Sequence, residues 1–270
     1  MRRAAWLCAL AATLLAGAAK AQSACRQALA LGLDVSASVD SSEYRLQLEG
    51  LARALTTPEV AQRILGMPAA PVALYVFEWS GPGVQRTILP WTQVTDETVL
   101  ERSAARIAAH QRNPLGDSVD QSTAIRPAIA HGLNAIIEQS ECWKRTIDIS
   151  GDGTHNTGGD PRLMRPALTE NTVIVNGLVI GVDSPRGGDI RQLEIGELSS
   201  YYNAFVIHGP GAFVETALGF ADFERAMKRK LLRELEAPVF GALPNGRSAA
   251  PAKPLGTSWS KPNAPQNASQ

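Results

Sequence analysis

The sequence predicts a doubly wound α/β domain: a mostly parallel six-stranded sheet with one antiparallel edge strand and helices on both faces. Three observations carry that expectation. Short runs rich in β-branched and aliphatic residues recur along the chain, as strands buried on both faces require. Between most of them, apolar residues step by three and four, the period of a helix with one buried side. Only one pair of strand runs is joined too tightly for a crossover helix, so only one antiparallel pairing is expected.

Taken in order, the chain opens on Met1-Arg2-Arg3, continues through the small apolar run Ala4 to Ala18, and offers an A-x-A cleavage site at Ala19-Lys20-Ala21. Residues 1–21 therefore read as a secretory signal peptide and not a membrane anchor, because the apolar run is too short to span a hydrocarbon core of ~30 Å. Strands are predicted at Ala28 to Asp34, Val72 to Trp79, Val84 to Leu89, Thr146 to Ser150, Val173 to Ile180 and Ala204 to Ile207. The link Ser80-Gly81-Pro82-Gly83 makes the second and third a hairpin. One helical stripe runs through Tyr44, Leu48, Leu51 and Leu55, a second through Ile125, Ile129, Leu133 and Ile136, and a last through Phe220, Phe223, Met227, Leu231 and Leu235. The domain is placed at residues 22–237. The segment 238–270, rich in Pro, Ala, Ser, Asn and Gly, reads as a disordered tail or linker.

Charge narrows the function. The chain holds 26 basic and 26 acidic residues; cleavage after Ala21 removes Arg2, Arg3 and Lys20, leaving 249 residues (270 − 21) with a charge of 23 − 26 = −3. The basic run from Lys228 to Arg233 shares a helix with an apolar stripe and reads as a solvated face, so nucleic acid is not expected as a partner. No later segment is long and apolar enough to suggest a membrane span.

Asp34-Val-Ser36-Ala-Ser38 follows directly on the first strand, which places a carboxylate and two hydroxyls at a strand's carboxyl end, where open α/β sheets hold ligands. Such oxygen donors suit Mg²⁺, Mn²⁺ or Ca²⁺ better than zinc. Asp and Ser also cap helices, and Asp40 with Glu43 has the spacing of a capping box. Ser122-Thr123 precedes the second helical stripe, where either residue could serve as a cap. Thr146-Ile-Asp-Ile-Ser150-Gly-Asp152-Gly-Thr-His-Asn156 runs from a strand into a glycine-rich loop carrying a carboxylate.

The order Asp34-x-Ser36-x-Ser38, then Thr123, then Asp152-Gly, each at a strand end or helix start, resembles the von Willebrand factor A domain and its metal-ion-dependent adhesion site. The resemblance covers about Ala28 to Glu236. It implies a Rossmann-like sheet, Asp34, Ser36 and Ser38 as metal ligands from a first loop, Thr123 from a second, and Asp152 from a third, often through water. Only two of those five donors are charged. The metal, expected to be Mg²⁺ or else Mn²⁺ or Ca²⁺, thus keeps residual positive charge and an open position for a Glu or Asp carboxylate of a partner protein. The implied function is an exported, periplasmic or secreted, metal-dependent protein-binding module and not an enzyme. The Tyr201-Tyr202 segment, Gly209-Pro-Gly-Ala-Phe213 and the final amphipathic helix are similar to a bacterial secreted subgroup of A-like domains of unknown function.

Two alternatives stand beside that reading. One is a metal-free A-like structural domain. In the other, Leu115-Gly-Asp-Ser118 with Asp152-Gly-Thr-His155 resembles GDSL-type hydrolases and would give a Ser118, Asp152, His155 triad. The serine block lies too late in the chain for that family, and about eighty residues of ordered-looking chain follow His155 where few should. His110, His131, His155 and His208 have no zinc-ligand spacing. Trp79 and Trp91 are expected to pack on the sheet, and Glu78 to lie solvated at the rim or to accept a hydrogen bond behind the metal loops.

The exported chain keeps two cysteines, Cys25 and Cys142, nine and ten residues ahead of Asp34 and Asp152. In a strand order 3-2-1-4-5-6 the first and fourth strands are parallel neighbours, so these cysteines start adjacent strands ~5 Å apart at the end opposite the metal. A Cys25–Cys142 disulfide is therefore predicted.

Overall fold

The computed structural model describes residues 24–112, 120–181 and 188–236, apart from the side chains of 188–191. The proposed signal peptide, the tail beyond residue 236 and Ser118 lie outside the described residues. The elements run β1 (Cys25–Asp34), α1 (Ser41–Thr56), α2 (Pro58–Leu65), β2 (Val72–Trp79), β3 (Gln85–Val94), α3 (Glu97–Ala109), α4 (Ile125–Ile136), β4 (Cys142–Gly151), α5 (Arg165–Glu170), β5 (Ile174–Ile180), α6 (Gly188–Tyr201), β6 (Val214–Ala217) and α7 (Phe223–Glu234). They build one six-stranded sheet in the order β3-β2-β1-β4-β5-β6. Every pairing is parallel except β2 with β3, the predicted hairpin.

Alternation along β1 separates two hydrophobic layers. Leu29, Leu31 and Leu33 join α1, α3 and α7 on one face, while Ala28 and Ala30 join α4, Tyr75, Phe77 and Ile147 on the other. Small residues on the second face let bulky neighbours close in: a Cβ at Gly32 would meet Phe77 at 2.7 Å, and one at Gly132 of α4 would meet Ile147 at 2.9 Å. β3 runs past the predicted Leu89 to Val94, and Pro90 is tolerated because this is an edge strand. Cys25 and Cys142 are register partners with Cα atoms 4.4 Å apart, and their sulfurs are bonded.

The predicted sixth strand, Ala204 to Ile207, is not a strand. Tyr202–Val206 forms a π-helical turn that continues α6. Its buried residues, Tyr202 and Val206, are four apart, a helical spacing, whereas a strand would bury every second residue. The edge strand is instead β6, whose Val214 to Ala217 pair with Gly177 to Ile180. His208 contributes only an isolated antiparallel bridge to Val175.

Candidate metal centre

The three predicted loops meet at the carboxyl end of the sheet. Asp34 is fully buried; its Oδ1 accepts from the Ser36 amide at 2.8 Å, and its backbone carbonyl accepts from Gln47 Nε2 of α1 at 2.9 Å. The chain is thereby turned so that Ser36 and Ser38 stand together, their hydroxyl oxygens 3.2 Å apart. Ser38 then donates to Asp152 Oδ1 at 2.8 Å, joining the first loop to the end of β4. Ser36, Thr123 and Asp152 are buried and Ser38 is exposed, so the cluster opens to solvent on the Ser38 side.

Backbone bonds hold the loops in place. Ala37 N donates to Gln121 O at 2.8 Å, linking the first loop to the second. Arg112 clamps the first loop by donating to the carbonyls of Val35 and Val39 at 2.8 and 2.7 Å. The second and third loops are joined reciprocally: Thr123 N donates to Asn156 Oδ1 at 2.9 Å, and Asn156 N donates to Thr123 O at 3.1 Å. Asn156 was not among the predicted site residues. Nothing in its sequence position distinguishes it from an ordinary polar residue in a glycine-rich loop.

The capping alternatives sort cleanly. Asp40 and Glu43 form the capping box of α1, separate from the Asp34 cluster. Thr123 is not a cap, because the N-cap of α4 is Ala124, with no side-chain capping bond. Glu78 is buried, not solvated at the rim, and accepts from Tyr44 Oη at 2.7 Å. Trp79 is wholly buried, and Trp91 packs on the sheet while donating to Ala135 O at 3.1 Å. Of the hydrolase residues, Asp152 is engaged by Ser38, and His155 Nδ1 pairs with Tyr201 Oη, so the acid and base of a triad are not paired with each other.

Electrostatics set the two acids of the cluster apart. Asp34 Oδ2 is buried with no hydrogen-bond partner, at the end of a strand where water is excluded. Burial and the nearby Asp152 charge push the Asp34 carboxyl up to about 7, and burial likewise raises Asp152. Two acids disfavoured in their charged form, ringed by neutral hydroxyls, are what a hard divalent ion would reverse, since it favours both carboxylates and accepts hydroxyl oxygens. The donor set fits such an ion. Among the described residues no three His, Cys, Asp or Glu side chains gather where they could hold a metal ion, so hydroxyl oxygens would have to complete the donor set.

A six-stranded, mostly parallel sheet with one antiparallel strand, enclosed by helices, is a von Willebrand factor A-like α/β fold, the fold of the metal-ion-dependent adhesion site protein to which the chain is similar. A model of the family described as "Protein of unknown function (DUF1194)" matches residues 24–239, and the chain belongs to that family. No curated protein matches it. Among solved structures it is similar to proximal thread matrix protein 1 of the mussel byssus with a zinc-occupied metal-ion-dependent adhesion site motif (TM-score 0.53, 14% identity, 78% of this chain and 46% of that one). It is also similar to the pilus adhesin SpaC of Lactobacillus rhamnosus GG (TM-score 0.50, 9% identity, 79% and 31%). The chain spans less than half the length of either protein. No helix among the described residues is long and apolar enough to cross a membrane.

Proposed function

We propose that the protein is an exported recognition module in which Asp34, Ser36, Ser38, Thr123 and Asp152 hold a divalent cation, Mg²⁺ or else Mn²⁺ or Ca²⁺, and a partner protein supplies a Glu or Asp carboxylate to it. The observation that carries this reading is the buried, unpartnered Oδ2 of Asp34 beside a second carboxylate and neighbouring hydroxyls. A bound cation would supply a residual positive charge for that carboxylate. The chain's own part is to fix the donors: Gln47 and Arg112 hold the first loop, and Asn156 locks Thr123 to the third. Export is supported by the Cys25–Cys142 bond, which suits an oxidising compartment, and by the byssal-matrix and pilus settings of the similar solved proteins.

The test has two readouts. Calorimetric titration with Mn²⁺ and Mg²⁺ should show one site in the wild type and at least ~10-fold weaker binding in Thr123→Ala, which deletes one donor. Proteins captured on the immobilised chain from an exported fraction should be released by EDTA and held poorly by the same variant. A partner retained equally well in chelator would place recognition on another surface, and absent metal binding would refute the assignment itself.

A further inference from the structure

A second feature lies at the opposite end of the sheet. β4 pairs with β1 from Cys142 onward but meets β5 only from Thr146 and Ile174. Beside Trp143, Lys144 and Arg145 no described strand continues the sheet on the β5 side, because the chain enters β5 by turning at Thr172. A recess of about 400 Å³ opens there, floored by the buried Leu168 and Val173 and walled by Trp143 and Pro210. Its size and apolar lining are those of a small-molecule pocket. Trp143 is 58% exposed, a large apolar surface that no described residue covers.

The rim is cationic. Arg145 is half-buried, and its guanidinium makes no hydrogen bond or ion pair with any described residue. Lys144 is already committed to the carbonyl of Glu234 at 2.7 Å. His208 Nε2 sits 3.1 Å from Thr169 Oγ1. Among the described residues no acidic side chain lines the recess. Two turns shape its wall: one at Gly209, whose φ of 94° glycine adopts freely, and a strained one at Thr172, the one non-glycine with positive φ (52°) among the described residues. A β-branched residue held in the left-handed region costs free energy, a feature that concentrates at ligand clamps.

We propose that this recess binds a free, monomeric amphiphile with an apolar chain and a single carboxylate, the chain lying against Trp143, Leu168 and Val173 and the carboxylate meeting Arg145. The recess is about 400 Å³, a volume that suits a single small molecule, and a half-buried guanidinium without a partner among the described residues is satisfied by a carboxylate in bidentate geometry.

The full chain titrated with decanoate below its micelle concentration, followed by calorimetry and tryptophan fluorescence, should show saturable one-to-one binding. Decanol, which keeps the chain and lacks the charge, should bind about tenfold more weakly. Arg145→Gln should weaken decanoate about tenfold and leave decanol unchanged, whereas Trp143→Ala should weaken both. Asp34→Ala should alter neither, since the recess and the metal loops are at opposite ends of β4. No saturable binding of decanoate, equal binding of decanoate and decanol, or an Arg145→Gln variant with wild-type affinity would each overturn the proposal.

Discussion

Asp34 concentrates the energetic problem of the Asp34–Asp152 cluster in one oxygen atom. A carboxylate oxygen buried without a partner pays its desolvation in full, whereas an amide in its place carries no charge to desolvate. Asp34→Asn is therefore expected to stabilise the protein in EDTA by about 1–3 kcal/mol, while abolishing the additional stability that the proposed Mg²⁺ site would give the wild type. Thermal unfolding of both proteins with and without Mg²⁺ checks this; an Asn variant less stable than wild type in EDTA would show that Asp34 already has its charge satisfied within the chain. At this scale the sequence was legible for residues whose type carries chemistry, Asp34, Ser36, Ser38, Thr123 and Asp152, which the fold does bring to one end of the sheet. It was not legible for residues that act through position: Asn156 locks two loops by its amide, and Glu78 is buried because the Tyr44 hydroxyl from α1 reaches it.

β1 and β4 form the central pair, bonded by the cystine at one end and meeting through Ser38 and Asp152 at the other. Their close approach below the Asp34 and Asp152 loops depends on Gly151, where a Cβ would lie 2.6 Å from Tyr202 Oη and 2.9 Å from Asp34 Oδ2. Gly151→Ala must displace one or both, so a loss of about 1–3 kcal/mol in urea unfolding is expected together with weakened Mn²⁺ binding. Gly153→Ala is the control, since its nearest neighbour would be Thr123 Oγ1 at 3.9 Å, and it should change little. Equal behaviour of the two variants would mean that the contact at Gly151 relaxes without cost. Elements with long apolar runs, such as β1 and β2, were readable because burial on both faces leaves no room for polar residues. β6 was not: its four residues Val-Glu-Thr-Ala are mostly half-buried, and the more apolar stretch before it belongs to the end of α6. Glycines at 209, 211 and 219 bracket β6, a signal of strand limits that an apolar-run criterion passes over.

At the scale of the whole fold, a buried ionic cluster with no visible sequence signature joins α7 to the sheet. Lys230 of α7, fully buried, lies 2.6 Å from both Asp148 of β4 and Glu234, and Asn176 of β5 donates to Glu234 at 2.7 Å. In sequence Lys230 reads as part of a solvated basic face; in the fold α7 turns it inward over Phe213 to meet two acids. Burial alone would lower the Lys230 ammonium, but the Asp148 and Glu234 charges raise it above its ordinary 10.5, so its contribution is present at neutral pH and lost only as the pH rises through that elevated value. For Asp148, burial outweighs the Lys230 charge and pushes the carboxyl from 3.8 up to about 7. The folded protein then binds this proton more tightly than the unfolded chain does, so the stability it contributes is complete below about 4 and is lost as the pH rises to about 7. Asp34, raised by burial, gives a slope of the same sign, so the comparison belongs in its absence. Guanidinium unfolding of Asp34→Asn between pH 4 and 8 in EDTA should show stability falling with pH, and the double variant Asp34→Asn/Asp148→Asn should show a flatter profile across the same range. Identical slopes in the two proteins would mean that Asp148 stays ionised beside Lys230 down to its unfolded value, and that the cluster holds α7 to the sheet as a permanent ion pair.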